Sequence, residues 1–242
     1  MTVFIPIKGQ VYAKTLWEVT EAIYTVDKIV RVVILVCDHE GDTIPYLKDV
    51  RGEQVYLDMP KWSRAHAFNS MYWLSDDDVL VFNDADVAPC NSDWFDRIRR
   101  RMDSGAEYAI NYNALQGVQS GGFLGGSTTI TRGFLRRTGG MDARMHTWGF
   151  EDTDFTNKVR SLTGWPTNES LRIEALMRHV GHPRDAFRLA MANEAAIWKE
   201  NQGHCLENMR LLASSPEDYC KNNRFIDDTR RLLKIPDRGG AH

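Results

Sequence analysis

The stretch VLVFNDADVAP, residues 79–89, decides the fold. Its first four residues are apolar, Asn83 follows, and Asp84 and Asp86 come next with one alanine between them. In an extended segment, side chains two positions apart point to the same face, so the two carboxylates would repel each other unless a cation or hydrogen-bond donors intervene. A hard divalent ion would meet that need. The alternative is a surface turn in which the aspartates bond to nearby backbone groups.

The chain before this stretch alternates between strand and helix patterns. Apolar, β-branched runs predict strands at residues 3–7, 30–37, 55–58 and 79–83, and helical spacing predicts helices at 15–24 and 64–74. This alternation predicts a mostly parallel α/β sheet in three layers. Ligands of such sheets bind beyond the carboxyl ends of the strands, which is where Asp38 and the two aspartates fall.

The second half of the chain has a different sequence pattern. The glycine-rich run GGFLGG (121–126) precedes a strand at 128–131 and a short helix, and a second helix opens near Glu151. We expect a core domain over residues 1–185 and a helical C-terminal extension over 186–242 packed on it, with a loose tail from Ile235 onward. Glycines around Gly122 suit either the close approach of backbone to a ligand or tight turns, and we expect a lid near residues 113–122.

Composition narrows the class of protein. The chain has 242 residues, 43% of them hydrophobic, and a net charge of −3, which fits one large α/β domain and argues against nucleic-acid binding over the whole surface. The longest apolar run, 29–37, contains Arg31 and is far shorter than the roughly 20 residues of a membrane span. Four scattered cysteines without a CxxC motif predict reduced thiols, and with no signal peptide we expect a cytoplasmic chain. Glycine-rich dinucleotide and Walker A motifs are missing, which disfavours dehydrogenases and P-loop enzymes.

An acidic cluster, EDTD, occupies residues 151–154. Acids at this position can cap the helix that follows and meet the positive end of its dipole. The functional alternative is a general base, Asp152, held beside a ligand pocket. Trp148 and Phe150 just before it are either a platform for a sugar ring or core aromatics.

Two histidines and two cations complete the candidates. His179 and His182 are either structural or, if one reaches the aspartates, part of a mixed Asp/His site that suits Mn²⁺. Lys61 and Arg64 lie where the helix before the aspartate strand begins, so they oppose its dipole and call for an anionic partner. Asp38, the aspartate pair or a bound phosphate could be that partner, and the forked guanidinium makes Arg64 the better diphosphate ligand.

Taken in order, these segments resemble a known family. WSRAHAFN (62–69), VFNDADVAP (81–89), the Gly-Gly strand, WGFEDTD (148–154) and RH (178–179) are similar to motifs of the β-1,4-galactosyltransferases, and more loosely to those of GT-A glycosyltransferases. The resemblance spans roughly residues 2–185. It implies a GT-A fold, a Rossmann-like, mostly parallel sheet flanked by helices, here with a helical C-terminal appendage.

The resemblance also implies a metal and nucleotide site. Asp86 and His179 would bind Mn²⁺, with Mg²⁺ as the alternative ion, and Asp84 would lie near the metal or the ribose. Asp38 would contact the base or ribose of a uridine nucleotide, and Arg64 would lie near the nucleotide.

For the sugars, the resemblance implies roles within WGFED. Trp148 would contact donor and acceptor, Glu151 would orient a sugar hydroxyl, and Asp152 would be the catalytic base. Outside this stretch, the glycine-rich run makes Gly122 a candidate for close approach of the backbone to the donor.

The chain departs from the family pattern at two places. His146 and Thr147 stand before the Trp-Gly pair, and Phe150 replaces a glycine, which leaves the donor sugar open. Leu176 takes the position of a methionine ligand found in some members and cannot bind a metal, so His182 or water would fill that place.

These patterns predict a metal-dependent inverting glycosyltransferase that moves a sugar from a nucleotide sugar, by preference a UDP-sugar, to a hydroxyl of a glycan or another acceptor. Three alternatives stay open: a retaining enzyme like the polypeptide N-acetylgalactosaminyltransferases, a glycosyltransferase that modifies DNA bases, and a carbohydrate-binding module without turnover. The Glu-Asp order favours inversion. Arginines at 97, 99–101, 136–137 and 230–231 would serve a DNA acceptor, although such clusters are usually solvated helix faces.

Overall fold

A computed structural model describes residues 1–111, 114–116, 126–147, 149–165, 171–173, 176–181 and 195–236. The strands are β1 (Thr2–Ile7), β2 (Arg31–Cys37), β3 (Glu53–Leu57), β4 (Val79–Asn83), β5 (Val87–Pro89), β6 (Tyr108–Ile110), β7 (Ala114–Gln116), β8 (Ser127–Thr131) and β9 (Leu176–His179). The helices are α1 (Gln10–Val26), α2 (Arg64–Leu74), α3 (Trp94–Asp103), α4 (Arg132–Thr138), α5 (Glu151–Thr163), α6 (Ala195–Ser214), α7 (Pro216–Asn222) and α8 (Phe225–Leu232), with a short 3₁₀ helix at Ile44–Tyr46.

Six strands form the main sheet in the order β3-β2-β1-β4-β8-β6. Strands β1 to β4 run parallel, and β8 lies antiparallel to both β4 and β6. The predicted α/β architecture, a mostly parallel sheet flanked by helices, is therefore confirmed. A second, three-stranded sheet in the order β5-β9-β7 was not predicted.

The apolar patterns explain the centre of the sheet. Strand β2 is buried at every residue after its first, as its continuous β-branched run predicts for a central parallel strand. On one face of the sheet, Phe68 of α2 packs edge-on against Phe82 of β4 and Phe155 of α5, with ring centroids 5.3 and 5.0 Å apart. This contact fixes α2 and α5 over the end of β4.

Helix α2 begins and ends where the sequence predicts. Ser63 caps it, its hydroxyl accepting a hydrogen bond from the His66 amide at 3.2 Å. The helix is buried on nearly all sides because the C-terminal helix α8 covers its outer face. Its Trp73 indole donates to the Ile226 carbonyl at 3.1 Å, and Asn69 donates to the Thr229 hydroxyl at 3.2 Å.

A glycine lets the C-terminal helices approach so closely. Gly139 has a φ of +73°, and a Cβ placed there would lie 2.1 Å from the Asn223 carbonyl oxygen. The Ile226 amide donates to the Gly139 carbonyl at 3.1 Å.

The C-terminal tail is more ordered at its start than the sequence suggests. We expected a loose tail from Ile235 onward, but Ile235 is buried and its amide donates to the Arg230 carbonyl at 3.1 Å. A domain division at residue 185 stays a prediction.

Buried polar groups connect α5 to the C-terminal helices. Lys158 is fully buried and donates to the Gly140 carbonyl at 2.6 Å. Asp154, also fully buried, accepts a hydrogen bond from Asn208 of α6 at 3.0 Å. These contacts assign Asp154, one member of the predicted acidic cluster, to the structure of the core.

The cysteines are all free thiols, three of them buried and Cys90 exposed. Across the part of the chain that the structure describes, none of the helices has both the length and the apolar character needed to cross a lipid bilayer.

His66 gives a testable pH dependence. Its Nδ1 lies 2.9 Å from the Thr229 hydroxyl, and burial, with a smaller contribution from His146, lowers its pKa to about 4 from the ordinary 6.5. Because the folded pKa is the lower one, the unfolded chain binds more protons between these values, and stability falls as the pH falls through that window. Between pH 7 and pH 5, the free energy of unfolding of the wild type should therefore fall by roughly 2 kcal/mol more than that of His66→Gln.

Urea unfolding of both proteins at the two pH values measures this difference. His39→Gln is a control of opposite sign, because the hydrogen bond to Asp58 raises the pKa of His39. Removing the His39 imidazole should therefore make the free energy of unfolding fall more steeply on acidification. Identical pH profiles for the wild type and His66→Gln would show that His66 is not buried in its neutral form.

Candidate active site

The predicted aspartate pair lies in a tight turn at the carboxyl end of β4. The Val87 amide donates to the Asp84 carbonyl at 3.2 Å, and the chain reverses from β4 into β5. The Asn83 side chain holds this turn closed, since its Nδ2 donates to the carbonyls of Asp84 (2.9 Å) and Val87 (2.8 Å). Sequence reasoning missed this role of Asn83, and its only signal is a polar residue at the end of a buried strand.

The two carboxylates have different partners. Asp84 faces Arg64, whose Nη2 and Nε lie 3.0 and 3.3 Å from its Oδ1. Asp86 faces His179, with 3.1 Å between Oδ2 and Nε2. The repulsion expected between the two acids is thus offset by a separate nitrogen partner for each.

The small sheet brings Asp86 and His179 together across 93 positions of sequence. Val87 in β5 lies opposite His179 in β9, and the Val180 amide donates to the Asp86 carbonyl at 2.7 Å. Both side chains keep some access to solvent, with 16% of Asp86 and 28% of His179 exposed. A carboxylate oxygen and an imidazole nitrogen side by side form a donor pair that fits Mn²⁺.

Among the described residues, no group of three or more His, Cys, Asp or Glu side chains converges on one point. His182, the predicted substitute ligand, lies outside the described residues.

Arg64 lies between two acids at the first residue of α2. Besides Asp84, its Nη1 lies 3.8 Å from Glu151 Oε1, and its guanidinium sits 4.9 Å from the centre of the Phe82 ring. Burial opposes the charge of Arg64, but Asp84, Glu151 and Asp152 outweigh it and raise the pKa of the guanidinium. Asp84 of the predicted pair is thus one acidic partner of Arg64, and Glu151 is a second that the sequence did not indicate.

Burial changes the pKa of both acids beside Arg64. It raises the pKa of Asp84, with Arg64 opposing and Asp86 adding to the rise. It also raises the pKa of Glu151, where Asp152 adds to the rise and Arg64 opposes it. Asp152 is therefore close enough to influence both acids electrostatically.

A backbone kink places Glu151 and Asp152 at the start of α5. Gly149 and Phe150 both have positive φ, +103° and +69°, so the chain turns sharply before the helix begins. Glu151 then points inward with 6% of its surface exposed, and its Oε2 has no hydrogen-bond partner among the described residues. Asp152 is partly exposed and accepts a hydrogen bond from the Thr153 amide at 2.6 Å.

Asp38 makes local contacts at the end of β2. Its two oxygens accept hydrogen bonds from the amides of Thr43 (2.7 Å) and Glu40 (3.1 Å). Partial burial acts against ionisation, but these bonds outweigh it and lower the pKa of Asp38. Asp38 thus orders the loop after β2, and its contact with a nucleotide stays a prediction.

Three predicted features cannot be placed. Trp148, Gly122 and most of the expected lid over residues 113–122 lie outside the described residues.

Trp198 is a feature of this region that sequence reasoning missed. It projects from α6 and packs against Phe150, with ring centroids 4.6 Å apart. Its sequence signal is a tryptophan near the start of a C-terminal helical segment, but its partner lies almost fifty positions earlier, so the pairing could not be read from the chain.

Known proteins show two kinds of likeness to this chain, one in sequence and one in structure. Residues 111–175 match the family described as the N-terminal domain of galactosyltransferase. A search of curated protein sequences finds no relative.

Solved structures give a likeness over most of the chain. A mannosyltransferase from Pyrobaculum calidifontis in complex with GDP-mannose and Mn²⁺ is 15% identical, with a TM-score of 0.56 over 100% of this chain and 76% of its own. Glucosyl-3-phosphoglycerate synthase from Mycobacterium tuberculosis, in complex with Mn²⁺, UDP and glucosyl-3-phosphoglycerate, is 12% identical, with a TM-score of 0.57 over 86% of this chain and 79% of its own. A Drosophila β-1,4-galactosyltransferase 7 variant, in complex with manganese, UDP-galactose and xylobiose, is 15% identical, with a TM-score of 0.52 over 77% and 72%.

At such identities the structural likeness concerns the fold, and the family match adds the segment that carries the acidic pair of α5. Together the two findings support a glycosyltransferase. The chain has the GT-A fold and resembles the galactosyltransferase family.

Proposed function

We propose that the protein is a metal-dependent glycosyltransferase that moves a sugar from a nucleotide sugar, by preference a UDP-sugar, to an acceptor hydroxyl with inversion of the anomeric centre. The observation that carries this proposal is the contact between Asp86 and His179, 3.1 Å apart, at the carboxyl end of β4. Arg64, Glu151 and Asp152 lie at the same edge of the sheet. Open α/β sheets bind their ligands at this edge.

The metal site would be Asp86 and His179, with Asp84 beside them. When bound, Mn²⁺ stabilises the negative charge that develops on the departing diphosphate. The structures with GDP-mannose and with UDP cited above each contain this ion with a nucleotide, which supports manganese here. Arg64 adds a fixed positive charge, and its two acidic neighbours hold the guanidinium in place.

The acceptor hydroxyl needs a base, because it is a poor nucleophile at neutral pH. Asp152, partly exposed at the start of α5, would take the hydroxyl proton as the oxygen attacks the anomeric carbon. Glu151 Oε2, buried without a hydrogen-bond partner among the described residues, would accept a hydrogen bond from a sugar hydroxyl. Attack from the side opposite the diphosphate inverts the anomeric centre, and NMR of the product distinguishes this outcome from retention.

The arginines bear on the alternative of a DNA acceptor. Arg97 pairs with Asp93, Arg99 with Asp27 and Asp96, Arg136 with Asp227, and Arg137 with Glu107. These contacts favour solvated, charge-balanced helix surfaces over a phosphate-binding patch. Binding to duplex DNA that depends steeply on salt would restore the alternative.

A thermal-shift panel tests the proposed function. Because ligands that bind only the folded state stabilise it by mass action, the preferred nucleotide sugar should raise the Tm most, and only with Mn²⁺ present. EDTA should abolish the shift. No shift with any nucleotide or nucleotide sugar would contradict the proposal, and a shift without turnover or hydrolysis would favour a binding module.

Substitutions at the metal pair give a sharper prediction. Asp86→Ala and His179→Ala should each weaken UDP binding in the presence of Mn²⁺ by at least about 10- to 100-fold, the range known for changes around metal ligands. Calorimetry with Mn²⁺ and with EDTA measures this effect, and after EDTA treatment the variants and the wild type should bind alike. His204→Ala, on α6, is the matched histidine control. Unchanged affinity in both variants would remove the metal site from the proposal.

A further inference from the structure

The residues just before the kink of α5 are tied to the start of α2. The Ser63 hydroxyl, which also caps α2, donates to the Met145 carbonyl at 3.0 Å. The Thr147 amide donates to the Trp62 carbonyl at 2.8 Å. Ser63 is fully buried, where a hydrogen bond is electrostatically stronger than in water. Helix α2, which carries Arg64, therefore also holds the backbone that leads to the two acids of α5.

Helix α6 contacts the same backbone. Asn201 of this helix is 1% exposed, and its side-chain amide donates to the His146 carbonyl at 2.8 Å. One turn earlier in α6, the Trp198 ring packs against Phe150 and lies so close to Gly149 that a Cβ there would be 2.6 Å from the indole Cδ1. The C-terminal helix therefore holds this segment both before the kink and within it.

The backbone held in this way is strained. Thr147 has a φ of +60°, which is rare for a β-branched residue, and Gly149 and Phe150 also have positive φ. The hydroxyl oxygen of Thr147 is buried with no hydrogen-bond partner among the described residues. Such conformations cost free energy and persist only where surrounding contacts determine them. The contacts with α2 and α6 supply that support.

The kink sets the position of the two acids. Immediately after it, the Asp154 amide donates to the Phe150 carbonyl at 2.8 Å and closes the first turn of α5. That turn carries Glu151, which lies 3.8 Å from Arg64, and Asp152. A change of φ before the helix would therefore move both carboxyl groups relative to Arg64.

We propose that Ser63 and Asn201 are positioning residues, which hold the strained segment 145–147 so that Asp152 is directed at the attacking hydroxyl. The inference rests on the proposed function and deepens it, because it assigns part of the geometry of the active site to the C-terminal helix α6. Each of the two residues acts through the backbone of another segment. A displacement of about 1 Å can cost about 100-fold in rate, so the loss of either contact should slow turnover.

Release of UDP from UDP-glucose, UDP-galactose and UDP-N-acetylglucosamine, with Mn²⁺ present and water as the acceptor, tests the inference. Water attacks the anomeric carbon, its proton goes to Asp152, and the bond to the diphosphate breaks with its electron pair leaving on UDP. Asn201→Leu keeps a similar volume but lacks the donor, and it should lower kcat by about 10- to 100-fold. The affinity for UDP with Mn²⁺, measured by calorimetry, should not change.

Two variants of Ser63 separate its two roles. Ser63→Gly removes the hydroxyl that donates to Met145, but glycine is still tolerated as a helix cap, so kcat should fall as in Asn201→Leu. Ser63→Thr keeps a hydroxyl and should restore the wild-type kcat. Both should bind UDP with Mn²⁺ like the wild type. If Asn201→Leu does not fold, the variants of Ser63 decide.

Two further variants separate positioning from a general loss of stability. Trp73→Phe removes another hydrogen bond of α2, from the indole to the Ile226 carbonyl, and should release UDP like the wild type. Thr147→Gly should unfold at the same temperature as the wild type or at a higher one, because glycine adopts a positive φ without strain. Its kcat should nevertheless fall by about 10-fold or more, since the segment loses its fixed conformation.

Amide hydrogen exchange followed by NMR measures the hold on the segment without turnover. In Asn201→Leu and Ser63→Gly, the Thr147 amide should exchange about 3- to 10-fold faster relative to the amides of β2, as expected for the loss of one hydrogen bond. Trp73→Phe should leave this ratio unchanged.

The inference is overturned if Asn201→Leu and Ser63→Gly keep the wild-type kcat, if kcat falls as much in Trp73→Phe, or if the relative exchange of the Thr147 amide is the same in all proteins. If the wild type binds UDP but releases none from the three donors, the exchange rates decide. A wild type that does not bind UDP with Mn²⁺ contradicts the proposed function, whereas normal UDP binding with unchanged kcat in both variants contradicts only the positioning role.

Discussion

Asp152→Asn is expected to lose sugar transfer by about 10²- to 10⁴-fold, the usual contribution of general-base catalysis. The amide is nearly the same size as the carboxyl group but cannot accept the hydroxyl proton at neutral pH. Asp152 is partly exposed, and it accepts hydrogen bonds from the amide and the hydroxyl of the neighbouring Thr153. The substitution should therefore leave the fold and the affinity for UDP and Mn²⁺ intact.

Turnover with the preferred donor and calorimetry with UDP and Mn²⁺ should be measured on the same preparations. Asp96→Asn is the matched control, because Asp96 is also an acid in the first turn of a helix, α3, and pairs with a surface arginine. Wild-type turnover in Asp152→Asn would exclude Asp152 as the base. A parallel loss of UDP affinity would instead make Asp152 a binding group.

Arg64→Met is expected to destabilise the protein by about 3–5 kcal/mol, the range for breaking a buried ion pair by removing one partner. The Arg64 side chain is 9% exposed and lies between Asp84 and Glu151. Methionine fills a similar volume but leaves both carboxyl groups without their cation. The change in the free energy of unfolding is measured by urea denaturation at pH 7.

Two further variants serve as comparisons for Arg64→Met. Arg64→Lys keeps the charge but loses the forked contact, so it should be intermediate. Arg99→Met removes an arginine that is 50% exposed and pairs with Asp27 and Asp96, and it should cost no more than about 1 kcal/mol. If Arg64→Met unfolds at the same urea concentration as the wild type, Arg64 does not hold the two acids together.

The central sheet could be predicted because each strand carries its own signal. Strand β4 and helix α2 have the predicted bounds, since a continuous apolar run marks the strand and Ser63 and Ser75 flank the helix. Strands β5 and β9 have three and four residues, too few for a periodic pattern, and their pairing joins segments about ninety positions apart. The approach of His179 to Asp86 was therefore expected only from the resemblance to a family.

The candidate site, like the fold, could be predicted only where a residue has a local signal in the sequence. The acids at the carboxyl end of β4 and at the start of α5 stand out locally, as charged groups where an apolar strand ends and where a helix begins. Two other contacts depend on how separate elements pack against each other. They are the ion pair of Arg64 with Asp84 and the buried hydrogen bond from Asn208 to Asp154. Trp198 was missed for that reason too, because its contact with Phe150 requires the C-terminal helices to fold back over the core.

Anomalous X-ray scattering from crystals grown with Mn²⁺ and UDP tests the central claim most directly. At the manganese absorption edge, we predict one strong peak within bonding distance of Asp86 Oδ2 and His179 Nε2 and of phosphate oxygens of UDP. A peak elsewhere in the molecule, or bound UDP with no manganese at these two side chains, would contradict the claim.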